Sequence, residues 1–248
     1  MNEKQIVDVG FDTRSDAGDK DPDTFSPTLK EYHRLLWGKP LPDGRPFPLE
    51  APAKRTRYLY HQSEVGEFFL ASDTVIPTYR SWASPRFRPI PEIISSLPAA
   101  ELDAFQVANH TIGGAIIFPG EKRPGVGQTM NGARGFRREV RDRFDLTLEC
   151  IRRFYSGAGE LNPLEATIVG YADFFELFGN FRAYVAHFLL DDLVTPAGDV
   201  AFFLPFDGFV RPALPQSVAE YREYRDASVD FISRRNSRID AWARAHLA

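Results

Sequence analysis

The chain has 248 residues, 43% hydrophobic and 26% charged, an ordinary globular composition with enough length for a substantial core. A formal net charge of −4 argues against a generally basic nucleic-acid binder, and a single cysteine, Cys150, excludes an internal disulfide framework. The N-terminus shows no basic region followed by an apolar stretch. No apolar run approaches the ~20 residues that cross a bilayer, so a soluble, cytoplasmic protein without membrane contact is expected.

In chain order, residues 1–25 read as an acidic N-terminal loop. Ser26-Pro27 has the form of a helix cap with proline in the first turn, opening a helix through Leu29, Tyr32, Leu35, Leu36 and Trp37 that ends at Gly38. Residues 40–57, rich in proline and basic side chains, cross as a loop. Residues 58–61 and 67–72 are strand candidates, and 77–91 is irregular because of its prolines. The pattern predicts a helix over 99–108 and a buried strand over 111–118 containing Gly113-Gly114. A long glycine-rich connection follows over 120–135. Helices are expected over 136–155, 163–178, 181–193 and 218–245, with a short strand at 200–204. Strands in the first half and helices in the second predict a single α+β domain over 1–248 with a long C-terminal helix.

Arginines in apolar stripes are the chief irregularity. Turned at 100° per residue, the 136–155 segment places Arg143 among Leu146, Cys150, Phe154 and Val140. Arg182 falls in the stripe of Ile168, Tyr171, Phe175, Phe178, Val185 and Leu189. Arg235 falls between Phe231, Ile232, Ile239 and Trp242. A guanidinium with five donors and a permanent charge is expected to meet an anion inside a core, either a protein carboxylate or a ligand.

The stretch from Gly120 to Gly135 follows a strand and precedes a helix, where glycine-freed backbone amides make an anion site. Ala133-Arg134 stands where a phosphate-binding loop needs Lys-Ser or Lys-Thr, so it is not a P-loop. Arg141, Asp145, Glu149 and Arg153 at i,i+4 spacing read as a solvated helix face. Arg182 and His187 have an R-x4-H spacing found in some helical ribonucleases, although five residues on one helix diverge by ~140°. Asp19, Asp21 and Asp23 imitate the start of a calcium loop that Thr24 and Lys30 do not complete. Five scattered histidines and one cysteine give no metal-ligand spacing.

Several blocks resemble a widespread bacterial family of unknown function. They are Ser26-Pro-Thr-Leu-Lys-Glu-Tyr-His-Arg-Leu-Leu-Trp37, Gly66-Glu-Phe-Phe-Leu-Ala-Ser-Asp-Thr74, Asp142-Arg-Phe-Asp-Leu-Thr-Leu-Glu-Cys-Ile-Arg-Arg-Phe-Tyr155, Asp173-Phe-Phe-Glu-Leu-Phe-Gly179 and Phe231-Ile-Ser-Arg-Arg-Asn-Ser-Arg-Ile239. The resemblance implies one full-length domain and a bacterial source, and carries no activity. From the residues themselves, the leading expectation is binding or processing of an anionic, phosphate-bearing, nucleotide-like ligand. Its site would comprise the glycine-rich stretch with Arg134, Arg143, Asn131 and His110, joined by Arg182 or Arg235. The alternative is a non-catalytic interaction module, with aromatic helices around residues 171–188 forming an interface between copies. A ribonuclease-like toxin is third. No cofactor or metal is implied.

Overall fold

The computed structural model describes residues 7–52, 54–80, 82, 84–157 and 159–247. Among these residues there are three strands, β1 (Leu59–Ser63), β2 (Gly66–Thr74) and β3 (Ala115–Pro119), forming one antiparallel sheet in the order β1-β2-β3. β1 and β2 make a tight hairpin in which Ser63 pairs with Gly66, and β2 pairs with β3 from Leu70–Pro119 to Thr74–Ala115. Every residue of β3 is buried although it lies at the edge of the sheet, in keeping with its continuous apolar run. The helices mainly occupy the second half and end in α11 (Val218–His246), giving the expected α+β architecture. No helix among the described residues is long and apolar enough to cross a membrane.

The N-terminal segment is more structured than its composition suggests. It carries α1 (Arg14–Ala17) and α2 (Pro22–Phe25), the latter capped by Asp21, whose side chain accepts from Asp23 N. α2 packs on β2. α3 (Pro27–Trp37) follows as its sequence predicts. Ser26 Oγ accepts from Leu29 N at 3.0 Å, Pro27 occupies the first turn, and Gly38 ends the helix. Residues 77–91 are irregular at first, with a cis Arg88–Pro89 bond and a 3-10 turn at Pro85–Phe87. They then enter an unexpected α4 (Ile90–Ser95). α5 (Ala99–Asn109) leads to a 3-10 turn at Ile112–Gly114, so β3 starts four residues later than the expected strand over 111–118.

Gly113 has a steric reason. A Cβ there would lie 2.5 Å from Asn236 Oδ1 and 2.7 Å from Ile232 O, so only glycine lets α11 approach β3 this closely. Asn236 Oδ1 accepts from Gly113 N at 2.8 Å, and the hydroxyls of Tyr221 and Tyr224 donate to Thr78 O and Pro77 O. The long helix is thereby stapled to the segments that follow β2 and precede β3.

The expected helix over 136–155 is two helices. α6 (Met130–Phe136) absorbs the end of the glycine-rich stretch, and α7 (Phe144–Ser156) begins after a turn in which Arg141 and Asp142 have positive φ. Residues 163–178 likewise divide into α8 (Glu165–Gly170) and α9 (Ala172–Glu176). Gly179, at φ 73°, separates them from α10 (Phe181–His187). Residues 200–204 form no strand, only a bridge between Val194 and Val200. The aromatic residues Tyr171, Phe174, Phe175, Phe178, Tyr184 and Phe188 are all buried in the core. These six rings fill the core, while Phe181 in the same stretch is only partly buried.

Candidate functional site

Successive side chains of β2, Ser72 and Asp73, alternate across the strand and bond different partners, although both reach the same cleft. In the Ser72 system, His33 lies four residues before Trp37 on the buried stripe of α3. Trp37 Nε1 donates to His33 Nδ1 at 2.8 Å. Burial, helped by the Arg235 charge, lowers the His33 pKa to about 3, so the ring is neutral and its single proton must sit on Nε2. That nitrogen donates to Ser72 Oγ at 3.0 Å, and Ser72 Oγ donates to Asp23 Oδ1 at 2.8 Å. Four side chains thus form a directed relay from the core to a carboxylate on α2.

In the Asp73 system, the Arg134 guanidinium of α6 is completely buried and bonds Asp73. Its Nε donates to Thr147 Oγ1 at 3.0 Å, and Nη2 donates to Thr74 O at 3.2 Å and Asp142 O at 2.9 Å. Asp23, Asp73 and Asp142 all feel this one cation. Asp142 also feels Arg141, but these cations do not offset burial and the carboxylates' mutual repulsion, so protons are retained. Burial, reinforced by the charges of Asp73 and Asp21, raises the Asp23 pKa to about 7. Burial also raises Asp73, which Arg134 opposes, and burial with the Asp73 charge raises Asp142 to about 7. Among the described residues, no group of three potential ligands is arranged to hold a metal ion.

Asp21, Asp23, Ser72 and Asp73 line one side of an open cleft of about 440 Å³. Arg57, Tyr58, Gly120, Thr129 and Asn131 line the remainder. This volume lies in the range of small-molecule sites. Gly120 is required where it sits, because a Cβ would come within 2.6 Å of Ala71 Cβ and 2.8 Å of the Tyr58 ring. Past Arg57 and Tyr58 the cleft opens into a groove of about 820 Å³ bearing Lys122. Arg55 in this groove is paired with Glu121, whereas Arg57 and Lys122 have no carboxylate partner among the described residues.

Of the residues expected from sequence, Asn131 lines this cleft. Its Nδ2 donates to Ser72 O at 2.9 Å, while its buried Oδ1 has no partner among the described residues. Arg134 lies behind the wall, fully engaged by protein groups. Arg143 is buried, but as the residue capping α7 instead of a residue within a continuous helix. It forms a two-pronged pair with Asp145, Nε to Oδ1 at 3.1 Å and Nη2 to Oδ2 at 2.5 Å, and donates to Ala213 O at 2.9 Å. Arg182 is exposed in the first turn of α10, because the break at Gly179 resets the helical phase on which its burial was predicted. His187 on the same helix is buried, with Nε2 3.3 Å from Trp37 O, so the R-x4-H pair does not converge. His110 ends α5, its Nδ1 bonded to Gln106 O at 2.7 Å, and does not line the cleft.

Arg235 departs from the expected chemistry. It is completely buried and has no carboxylate partner among the described residues. Nη1 donates to Gly113 O at 3.0 Å and Ala115 O at 2.8 Å, Nη2 donates to Phe188 O at 3.1 Å, and the guanidinium lies 5.4 Å from the Trp37 ring centroid. Carbonyl dipoles and a π face replace the anion. Burial lowers its pKa to about 9, which leaves it charged at neutral pH.

The glycine-rich stretch is docked on the helical half. Tyr171 Oη donates to Glu121 O at 2.8 Å, Arg123 pairs with Asp173 at 2.6 Å, and Val126 packs on Gly170 so closely that a Cβ there would collide with it. Sequence reasoning missed Asp23, His33, Ser72, Asp73 and Arg57. A histidine one turn from tryptophan on the buried face of α3 was the available signal.

No curated protein and no solved structure matches the chain. A family model does match, from residue 7 to residue 239, across nearly the whole molecule and including both walls of the cleft. The chain therefore belongs to that family, a family of unknown function (DUF6994).

Proposed function

We propose that the cleft over Asp23 binds a small polar molecule bearing an anionic group, and that Asp23 exchanges a proton with it. The observation that carries this reading is the relay from Trp37 through His33 and Ser72 to Asp23, which ends in an open cleft. A hydrogen-bonded carboxyl with a pKa near 7 suits general acid–base chemistry, since it can hold or release its proton at working pH. Arg57, in the same lining and without a carboxylate partner among the described residues, supplies the charge for the anionic group. The anionic ligand expected from sequence is thus retained, but its counter-charge moves from the buried arginines to Arg57 and, farther along the groove, Lys122.

Ribose 5-phosphate and inorganic phosphate are suitable first probes in thermal-shift measurements, because a ligand that binds only the folded state raises apparent stability. Arg57→Gln should abolish the shift. Asp23→Asn should leave phosphate binding in place and remove the pH dependence of ribose 5-phosphate binding near neutrality. Absence of binding at millimolar concentrations, or binding indifferent to Arg57→Gln, would overturn the proposal.

A further inference from the structure

Across Asn131 from the cleft lies a second open cavity, of about 480 Å³, with a different chemistry. Its walls are aromatic. Trp82 and Phe87 pack with ring centroids 4.4 Å apart, and Phe136 at the C-terminal end of α6 is 60% exposed. An isolated exposed phenylalanine is unremarkable on a protein surface, but one forming the wall of a cavity beside two further rings offers a face for stacking. Asp142 and Asn131 line the cavity beside those rings, and two further polar groups there are uncommitted. The Gln128 side chain makes no hydrogen bond among the described residues, and Arg86, whose guanidinium lies 4.6 Å from the Phe87 centroid, has no carboxylate partner there. Aromatic rings beside a free amide and a guanidinium without a carboxylate partner are suited to a planar ring that has N–H and C=O groups at its edge.

Asn131 lines both cavities. Its Nδ2 is fixed to Ser72 O, which makes it a rigid divider between the acidic cleft and the aromatic slot. We infer that one ligand spans the divider, placing a planar heteroaromatic ring between Trp82 and Phe136 and its anionic group toward Arg57. This rests on the cleft reading above and narrows its ligand to the nucleotide class, a heterocyclic ring joined through a sugar-sized spacer to a phosphate. The glycine-rich stretch contributes to both compartments, through Gly120 and Thr129 on one side and Gln128, Gly132 and Gly135 on the other.

The probes are the four common ribonucleoside 5′-monophosphates, their nucleosides, and ribose 5-phosphate, titrated against the full chain while tryptophan fluorescence is followed. At least one monophosphate should quench fluorescence and bind more tightly than ribose 5-phosphate. Phe136→Ala, at an exposed position that does not endanger folding, should weaken that monophosphate roughly tenfold while leaving ribose 5-phosphate unchanged. Trp82→Phe should remove most of the quenching. Arg57→Gln should weaken the monophosphate and ribose 5-phosphate together, but not the nucleoside. If ribose 5-phosphate binds and no monophosphate binds more tightly, the ring inference is overturned and the cleft reading stands. If a nucleoside binds and is sensitive to Phe136→Ala, while no phosphate is sensitive to Arg57→Gln, the cleft reading fails and the aromatic slot stands alone. If none of the probes binds, or if binding ignores Phe136→Ala, the ring inference is wrong.

Discussion

The protein buries charge in two ways, and the contrast separates architecture from a candidate site. Around Arg143 each charge has a fixed partner. Asp145 accepts both guanidinium prongs and also the Phe203 amide at 3.0 Å, so the pair ties the start of α7 to the 203 and 213 segments with almost no solvent access. Around Arg134 the count does not balance. Three aspartates share Arg134, with Arg141 adding to Asp142 alone, two of them have pKa values pushed to about 7, and Asp23 borders an open cleft. Burial of an arginine is therefore a poor guide to ligand binding in this molecule. An uncompensated polar group beside space is the better one.

The largest expected effect tests the closed half of the contrast. Arg143→Met abandons Asp145 in a dry site, and breaking a buried pair from one side costs about 3–5 kcal/mol. The double variant Arg143→Met/Asp145→Leu removes both charges and should recover much of that loss, leaving the Phe203 amide as the main deficit. Urea unfolding of the two single variants and the double variant measures the coupling. A single-variant loss under about 1 kcal/mol would mean that Asp145 is easily satisfied elsewhere, and the closed network would lose its meaning.

Arg235→Met should rank next. No carboxylate is stranded, but the carbonyls of Gly113, Ala115 and Phe188 lose their donors, a cost of about 2–3 kcal/mol after the released desolvation of the guanidinium is set against it. A loss equal to or above that of Arg143→Met would show that carbonyls hold this charge as firmly as a carboxylate does.

These two arginines also show what sequence could reveal. Periodicity placed Arg235 correctly because α11 runs unbroken for 29 residues, so the angular phase is preserved to its end. Arg143 came out buried although its assumed helix is interrupted, since α7 starts immediately after it and its partner Asp145 lies only two residues away. For Arg182 the same reasoning failed at Gly179, where the positive φ resets the phase. α3 was readable in full, because Ser26, Pro27 and Gly38 mark its ends through local chemistry. The cleft was not readable. Asp23, His33 and Ser72 meet through the packing of α2 and α3 on β2, a tertiary arrangement with no spacing signature, and the acidic composition around Asp23 suggested a loop.

The open half of the contrast is tested by pH. Asp23 binds its proton more tightly in the folded state than its ordinary value of 3.8 allows, up to about 7. The folded protein therefore holds more protons than the unfolded chain between those values, and stability falls as pH rises through that window. Stability should be highest in this respect below pH 4 and reduced above pH 7, with Asp142 contributing in the same direction. Asp23→Asn should flatten the profile and stabilise the protein at pH 8 by about 1–2 kcal/mol, which would mark the carboxylate as retained at a cost to stability. Thermal unfolding from pH 5 to pH 8 measures this. A wild-type profile that rises across the window, or an Asp23→Asn variant less stable at pH 8, would contradict the charge imbalance.

The smallest effect asks whether the relay has the direction assigned to it. Ser72 Oγ receives the proton of His33 Nε2 and gives its own to Asp23 Oδ1, and a hydrogen bond donated to a carboxylate favours the ionised form. Ser72 accordingly works against the burial that raises the Asp23 pKa. Removing its hydroxyl in Ser72→Ala should move the Asp23 titration upward by about half a pH unit, the equivalent of one ordinary hydrogen bond reduced by residual solvation. It should also cost about 1 kcal/mol of stability, because His33 Nε2 is left buried without an acceptor. A carboxyl-carbon NMR titration assigned through Asp23→Asn reads the first quantity independently of the second. If the titration moves downward, the hydroxyl must accept from a protonated Asp23 and the relay runs the other way at its last step. Should it remain still while stability drops, Ser72 serves packing alone, and the link between the buried histidine and the cleft is broken.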